Sequence, residues 1–451
     1  MFASCAAVFI VLLGGLAAAE GSAMPPLAPA AQSPASSTTA AIDISEVRAR
    51  VLQRSSSLKK AGVSVSAALL AQKTQSLSAL PSMTLNGAGA FSYPKGTSAS
   101  FSAGLSLSET IWDGGKSAVL ASIDALATSS ARASARVAYF AAIESADDAY
   151  YAVLKAADAL NAAMSDLADS EASLALAKGK FEAGLTVKAD LLKAESEESA
   201  RNITVSQARS ALRAAKMTLA SITGLSYGAP LKGIDFASYS DLMSRLSGMD
   251  EAALEKLAST LVAQATKSNP SIAVASFASS EAELGVKAAK AAYLPSISAT
   301  MSNKLSLAGS AAPDFAGSIS VAASVPLDIW NTGSAVQAKL LSAESAAEDA
   351  TEAKRALELE IRSELYTWVT EAESVFSAQK ALDYAESNYE SVLELYKLSS
   401  ASALDLSNAA TLVSSDRQAL NLARYGFLMS ISSLRTYAGV ETDAELFGLL
   451  P

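Results

Sequence analysis

The side chains on which most enzyme chemistry depends are nearly absent from this chain. It has no histidine in 451 residues and a single cysteine, Cys5. Zinc sites built on imidazole and Ser-His-Asp triads are therefore excluded. A carboxylate pair or a Ser-Lys dyad would remain, but the abundant Ser, Asp and Glu fall into no spacing that either chemistry requires. They read as solvated helix faces, so the expectation is no enzyme, no cofactor and no metal. Two aspartates do stand out by position. Asp190 follows Phe181-Glu182-Ala183-Gly184-Leu185, and Asp405 follows Tyr396-Lys397-Leu398-Ser399-Ser400, with 181 and 190 shifted by 215 to 396 and 405. Each opens a helix-patterned run, where the exposed amides of a helix N-terminus favour negative charge. The two runs end at Gly224 and Gly439, again 215 apart.

The elements around these aspartates are duplicated in the same order. Leu80-Pro81-Ser82 recurs as Leu294-Pro295-Ser296, and Ile111-Trp112-Asp113 as Ile329-Trp330-Asn331. A duplication of this length means that each half is an incomplete unit that needs its copy. Each half holds two stretches with the period of two of a strand. In the first, Met83 to Phe91 precedes the turn-like Tyr93-Pro94-Lys95-Gly96, after which Phe101, Ala103, Leu105 and Leu107 alternate with serines and Gly104. In the second, Ile297, Ala299 and Met301 alternate with Ser and Thr, Pro313-Asp314 marks a loop, and Ile319, Val321, Ala323 and Val325 follow. Each run spans about 9 to 11 residues, the length of a transmembrane strand. The pattern also suits ordinary amphipathic hairpins on a soluble domain.

Gly114-Gly115 and Gly333 are expected to close the hairpins. From Lys116 to Glu182 there is no proline and one interior glycine, Gly179, which predicts a rod on the order of 100 Å. On the returning helix Val205, Ala208, Leu212, Ala215, Leu219 and Ile222 form an a/d seam. It is repeated as Leu420, Ala423, Phe427, Ser430, Leu434 and Tyr437. Four strands cannot close a barrel without leaving unpaired edges, so closure needs copies; three chains would supply twelve strands.

Half of the residues are apolar but only 6% aromatic, which suits close helix contact better than a thick core. The net charge of −10 argues against nucleic acid, whose phosphates need clustered Lys and Arg. Residues 1–19 read as a signal peptide, with Ala17-Ala18-Ala19 before Glu20 as the cleavage pattern. Cys5 leaves with it, so no disulfide is expected. The Pro- and Ser-rich residues 20–42 read as a disordered lead-in. The first repeat is placed at 43–225, an equatorial connection at 226–256, the second repeat at 257–440 and a tail at 441–451.

Taken in order, certain segments resemble the TolC-like outer membrane efflux protein family over nearly all of the mature chain. They are Ile111-Trp112-Asp113-Gly114-Gly115, Ala149-Tyr150-Tyr151-Ala152-Val153-Leu154, Phe181-Glu182-Ala183-Gly184-Leu185 with Asp190, Ala419-Leu420-Asn421-Leu422-Ala423-Arg424-Tyr425 and Ala438-Gly439. The resemblance implies an α+β membrane protein: a trimeric transmembrane β-barrel with four strands per chain, continued by a long α-helical coiled-coil tunnel and internally duplicated. It implies a passive channel of a tripartite efflux or type I secretion system, in the outer membrane with its tunnel in the periplasm. Its partners would be outer membrane lipid, a periplasmic membrane-fusion adaptor and an inner-membrane pump of the RND, ABC or MFS type. The other reading left open is a non-channel periplasmic coiled-coil scaffold.

By the same resemblance Asp405 would line the periplasmic entrance as a ring, with Asn408 where a second family aspartate often lies. Asp190 and Tyr396 would form a closed-state tip contact. A second family contact, between an arginine and a threonine, falls here on Ala401 and Ala189 and is absent. Asn269-Pro270 supplies the family's repeat-start pair in the second half, where the first half has Ser56-Ser57. Of the tip turns, the first carries Gly184 and the second Ser399-Ser400. Serine makes the second geometry open, since glycine is what enters a left-handed turn without steric cost.

Overall fold

The computed structural model describes residues 41–92, 98–308 and 314–450. The expected signal peptide, nearly all of the lead-in, the turn Tyr93 to Gly96 and Pro313 lie outside the described residues. In chain order the elements are α1 (Ile44–Arg54), α2 (Ser56–Leu77), β1 (Ser82–Ser92), β2 (Ser98–Trp112), α3 (Lys116–Glu182) and α4 (Lys188–Thr223). A short 3-10 turn and α5 (Ser240–Ser247) lead into α6 (Glu251–Ser268), α7 (Pro270–Lys290), β3 (Ser296–Ala308) and β4 (Asp314–Ser324). The long α8 (Ile329–Lys397), α9 (Ala403–Ala438) and the short α10 (Asp443–Phe447) complete the chain.

The strands form one antiparallel sheet in the order β1-β2-β3-β4, so the two hairpins of the duplication lie side by side. The register keeps every odd-numbered apolar position in line across the sheet: Met83, Leu107, Met301 and Ile319 form one row. No core covers this face, and Leu85 and Ile319 are 79% and 77% exposed. The opposite face is a ladder of hydroxyls, with Ser108 paired to Thr300 at 3.3 Å and Ser302 to Ser318 at 2.8 Å. Two strands are longer than expected, β2 with 15 residues and β3 with 13. A bulge between Thr110 and Trp112 extends β2 and turns Trp112 to pair with Ile297 on the apolar face, since an inserted residue reverses the side-chain alternation. Asp314 begins β4 instead of sitting in the loop. Among the described residues no helix is long and apolar enough to cross a membrane, which says nothing of strands.

The helical rods follow the sequence closely: α3 has 67 residues and α8 has 69. Gly333, expected from the sequence to close a hairpin, instead lies inside α8. Asp328 caps that helix by accepting from the Asn331 amide, so the helix begins before the glycine. Gly114 and Gly115 are left-handed ahead of α3, at φ 72 and 83, and the returning helices α4 and α9 end on left-handed Gly224 at φ 70 and Gly439 at φ 68. Gly439 has a second constraint, because a Cβ there would lie 2.8 Å from the Ser268 carbonyl carbon. That close approach lets Ser268 Oγ and Asn269 Nδ2 donate to the carbonyls of Ala438 and Tyr437, tying the α6–α7 junction to the end of α9. Asn269 also caps α7 ahead of Pro270, whose missing N–H costs nothing at that position. In the first half Ser55 is the cap, accepting from the Leu58 amide.

The seam residues face inward as their spacing predicts. Val205 and Leu219 are buried, as are Leu420, Ala423, Phe427, Ser430 and Leu434. Trp368 stacks on Phe427 with ring centroids 6.0 Å apart, and both belong to the buried core that includes Leu246, Ile361, Leu365 and Leu434. The two halves differ in one respect. Helix α7 packs against both long rods, α3 and α8, and buries Pro270, Ile272 and Val286. Its counterpart α2 packs along α3, buries no residue, and leaves Val63 and Leu70 69% and 64% exposed.

Candidate functional site: the tips of the helical hairpins

Each long helix turns back through the same backbone motif. At the end of α3, Leu185 N–H reaches the Lys180 carbonyl at 2.8 Å and Gly184 N–H the Phe181 carbonyl at 3.0 Å. At the end of α8, Ser400 N–H reaches Leu395 at 2.8 Å and Ser399 N–H reaches Tyr396 at 3.0 Å. This paired arrangement needs a left-handed residue at its hinge. Gly184 takes it at φ 69, and Ser399 takes it at φ 59 as the one described non-glycine with positive φ. The second turn therefore has the geometry of the first despite its serine.

Between the turns lies Lys180, which is buried. Its Nζ sits 4.0 Å from the centroid of the Tyr396 ring, donates to the Tyr396 carbonyl, and donates to Ser399 Oγ at 3.3 Å. Tyr396 is itself only 4% exposed. Burial, and then the charge of Asp190, push its phenol above the usual range. The hydrogen bond to Asp190 comes from Thr186 Oγ1 and not from the Tyr396 hydroxyl. Lys180 is the tip residue that sequence reasoning missed; a lysine in a charged helix end gives no pattern by which to single it out.

Asp405 lies at the third position of α9 and closes a reciprocal cap with Ser402. The Ser402 hydroxyl and amide donate to its carboxylate at 2.7 and 3.0 Å, and its own amide returns a bond to Ser402 Oγ at 3.2 Å. These hydrogen bonds, first that of the hydroxyl, hold the Asp405 carboxyl below its usual range. Its side chain is exposed, as is that of Asn408 one turn on. Behind the cap a cleft runs between α3, α4, α8 and α9, lined by Asp166, Asp169, Lys193, Glu197, Arg201 and Tyr389. Its charges are largely satisfied from within: Arg417 bridges Asp166 at 2.8 Å and Glu386 at 3.0 Å. Burial raises the Asp169 carboxyl against the opposing charge of Arg417. The arrangement fastens helices together and presents no activated nucleophile.

A second ionic cluster, which the sequence did not single out, lies at the other end of the hairpins. Asp147, fully buried, accepts from Arg48 Nε at 2.6 Å, Arg435 Nη2 at 2.6 Å and Ser432 Oγ at 2.8 Å. Arg435 also holds Asp443 of α10 at 2.7 Å. Burial opposes the charge on Arg48, yet the hydrogen bond and charge of Asp147 outweigh it and hold the guanidinium above its ordinary range. Three elements, α1, α3 and α9, meet at this one carboxylate, and α10 joins them through the arginines.

The sequence matches the family described as outer membrane efflux protein over residues 47–225 and 261–440. A sequence comparison with the curated proteins gives no match. Among solved structures, a membrane protein from Pseudomonas aeruginosa superposes with a TM-score of 0.76 at 16% identity, covering 89% of this chain and 91% of that one. The outer membrane channel CmeC of Campylobacter jejuni gives 0.73 at 17% identity, covering 90% and 88%. The outer membrane channel MtrE of Neisseria gonorrhoeae, in its open state, gives 0.71 at 17%, covering 88% and 89%.

Proposed function

We propose, from the premise that this chain belongs to the outer membrane efflux protein family, that it is the passive outer membrane channel of a tripartite efflux or type I secretion system. In this reading it is a homotrimer without catalytic activity, docked to a periplasmic membrane-fusion adaptor and an inner-membrane pump that supply energy and choose the cargo. The observation that carries the assembly is the difference between α2 and α7. Helix α7 fits between two long rods, whereas its duplicate α2 has one beside it and an exposed apolar flank. The vacant place is that of a rod corresponding to α8, and a second copy has one to offer. The sheet gives the same count, since β1 and β4 are open edges that only another chain can pair. In the trimer the apolar sheet face meets lipid, and the repeats 43–225 and 257–440 stand around the axis with the 226–256 connection at the equator.

The expected result is a protein that fractionates with outer membranes and migrates as an oligomer that dissociates on boiling. Recovery as a soluble periplasmic monomer would refute the channel reading and favour the scaffold.

The tips are the proposed gate. Burial first, and then the charge of Asp190, raise the Tyr396 phenol, which supports a closed-state contact that forms when neighbouring hairpins converge. Tyr396→Phe keeps the ring beneath Lys180 and removes only the hydroxyl. Single-channel conductance in planar bilayers should rise, and an unchanged conductance would count against the contact.

A further inference from the structure

We propose that the barrel holds a ring of three lysines, one Lys304 from each chain, that binds multivalent phosphate anions in the outer half of the pore. The proposal rests on the trimeric channel reading above. Three charged residues lie in the described strands: Glu109, Lys304 and Asp314. Glu109 stands opposite Ala299, in line with the apolar positions and next to the β2 bulge. Lys304 is on the other face, among the serines. Its cross-strand neighbours are Gly104 on β2 and Ala316 on β4, the two smallest side chains, so nothing beside it limits its reach into the lumen. It is exposed and, among the described residues, has no hydrogen-bond or ion-pair partner. Asp314 shares the face but stands opposite Ser306, two residues nearer the loop, and makes no ion pair with it.

The height of the ring follows from the strand. β3 starts at Ser296, next to the helices, and Lys304 is four residues from its far end at Ala308. The lysines therefore lie on the side of the membrane opposite the Asp405 tips, giving the conduit an acidic entrance and a basic exit. Twelve strands about 4.8 Å apart, tilted by about 40°, enclose a backbone radius of roughly 12 Å. A lysine stem reaches roughly 6 Å inward, so the three ammonium groups come within about 10 Å of one another. The screening length is about 8 Å at physiological salt and about 3 Å at 1 M, so their fields overlap in the first case and separate in the second. Rings of lysine suit anions and phosphates, and the hydroxyls of Ser102, Ser106, Ser302 and Ser306 add donors around them.

The test is block of single channels in planar bilayers by inorganic tripolyphosphate added on the loop side. At 0.15 M salt the wild-type current should be blocked, and Lys304→Gln should raise the half-blocking concentration at least tenfold. Lys304→Arg should retain block, and 1 M salt should abolish it in the wild type. Equal block of wild type and Lys304→Gln, or a conducting wild-type trimer indifferent to tripolyphosphate, would overturn the ring while leaving the channel intact. A wild-type chain that forms no oligomer would instead remove the trimer, and the ring with it. Boiling-sensitive migration of Lys304→Gln as an oligomer shows that any lost block is not lost assembly.

Discussion

Replacing Asp147 with alanine is expected to lower the temperature at which the folded protein melts by on the order of 5 °C. The carboxylate is fully buried and accepts from two arginines and a serine, so its loss leaves Arg435 buried opposite Arg48 with only the half-buried Asp443 between them. Removing one member of a buried ion pair costs about 3–5 kcal/mol, because the partner keeps its desolvation penalty and loses its compensation. In a chain of this size each kcal/mol displaces the midpoint by only a degree or two. The arginines should rank behind the aspartate. Arg435 is 1% exposed and Arg48 21%, so Arg48→Met should cost less, water being able to serve the groups it leaves. The double variant Asp147→Leu, Arg435→Met should recover much of the loss, since an apolar pair of similar volume needs no compensation. Heat-melting of the purified protein, read by circular dichroism, measures all three variants. A melting curve for Asp147→Ala identical to wild type would show that the cluster does not hold these helices together.

Asp405→Asn is expected to remove most of the channel's preference for cations at low salt. Three such carboxylates at a threefold axis would make the entrance field, and Asn408 one turn on adds no charge to it. The hydrogen bonds of Ser402 keep the Asp405 carboxyl below its ordinary pKa of 3.8. A group shifted in that direction stays charged as the pH falls to that value and is neutralised only beneath it, so selectivity should persist in mildly acid solution and fail only below it. The informative control is Asp190→Asn, which removes a carboxylate from the same third position of the matching helix. If Asp405 were only a helix cap, the two substitutions would change reversal potentials alike, and that result would end the ring hypothesis. Ser402→Ala offers a second arm: it leaves the charge but loosens the cap, so it should weaken selectivity less than Asp405→Asn while raising the pH at which selectivity is lost.

What could be read from the chain was set by how local each cause is. The α3 rod was legible to the residue because continuity needs only the absence of proline and a stop at the Gly184 turn. The strand faces were legible because parity is local, and the bulge beside Trp112 was not, because it depends on which residues of β3 stand opposite. Gly333 misled because a glycine marks a turn only when nothing nearby starts a helix, and Asp328 does. In the candidate site, Ser402 and Asp405 have the spacing of a cap, whereas burial of Tyr396 beneath Lys180 joins residues 216 apart. The Asp147 cluster was invisible for the same reason, since Arg48 and Arg435 are 99 and 288 positions from it.

The serine at the second tip bears on how the two halves came to differ. An ancestor that had just doubled itself would carry identical turns, and either could then drift. A left-handed serine is disfavoured by about 1–2 kcal/mol relative to a glycine that enters the region freely. Selection for stability alone would therefore push position 399 toward glycine. The hydroxyl receives Lys180 from the other hairpin, a bond that glycine could not make and that has no mirror image at Gly184. At this tip the halves have in this way become complementary, one donating and the other accepting, and the seat of Lys180 is made by residues that only the second half carries.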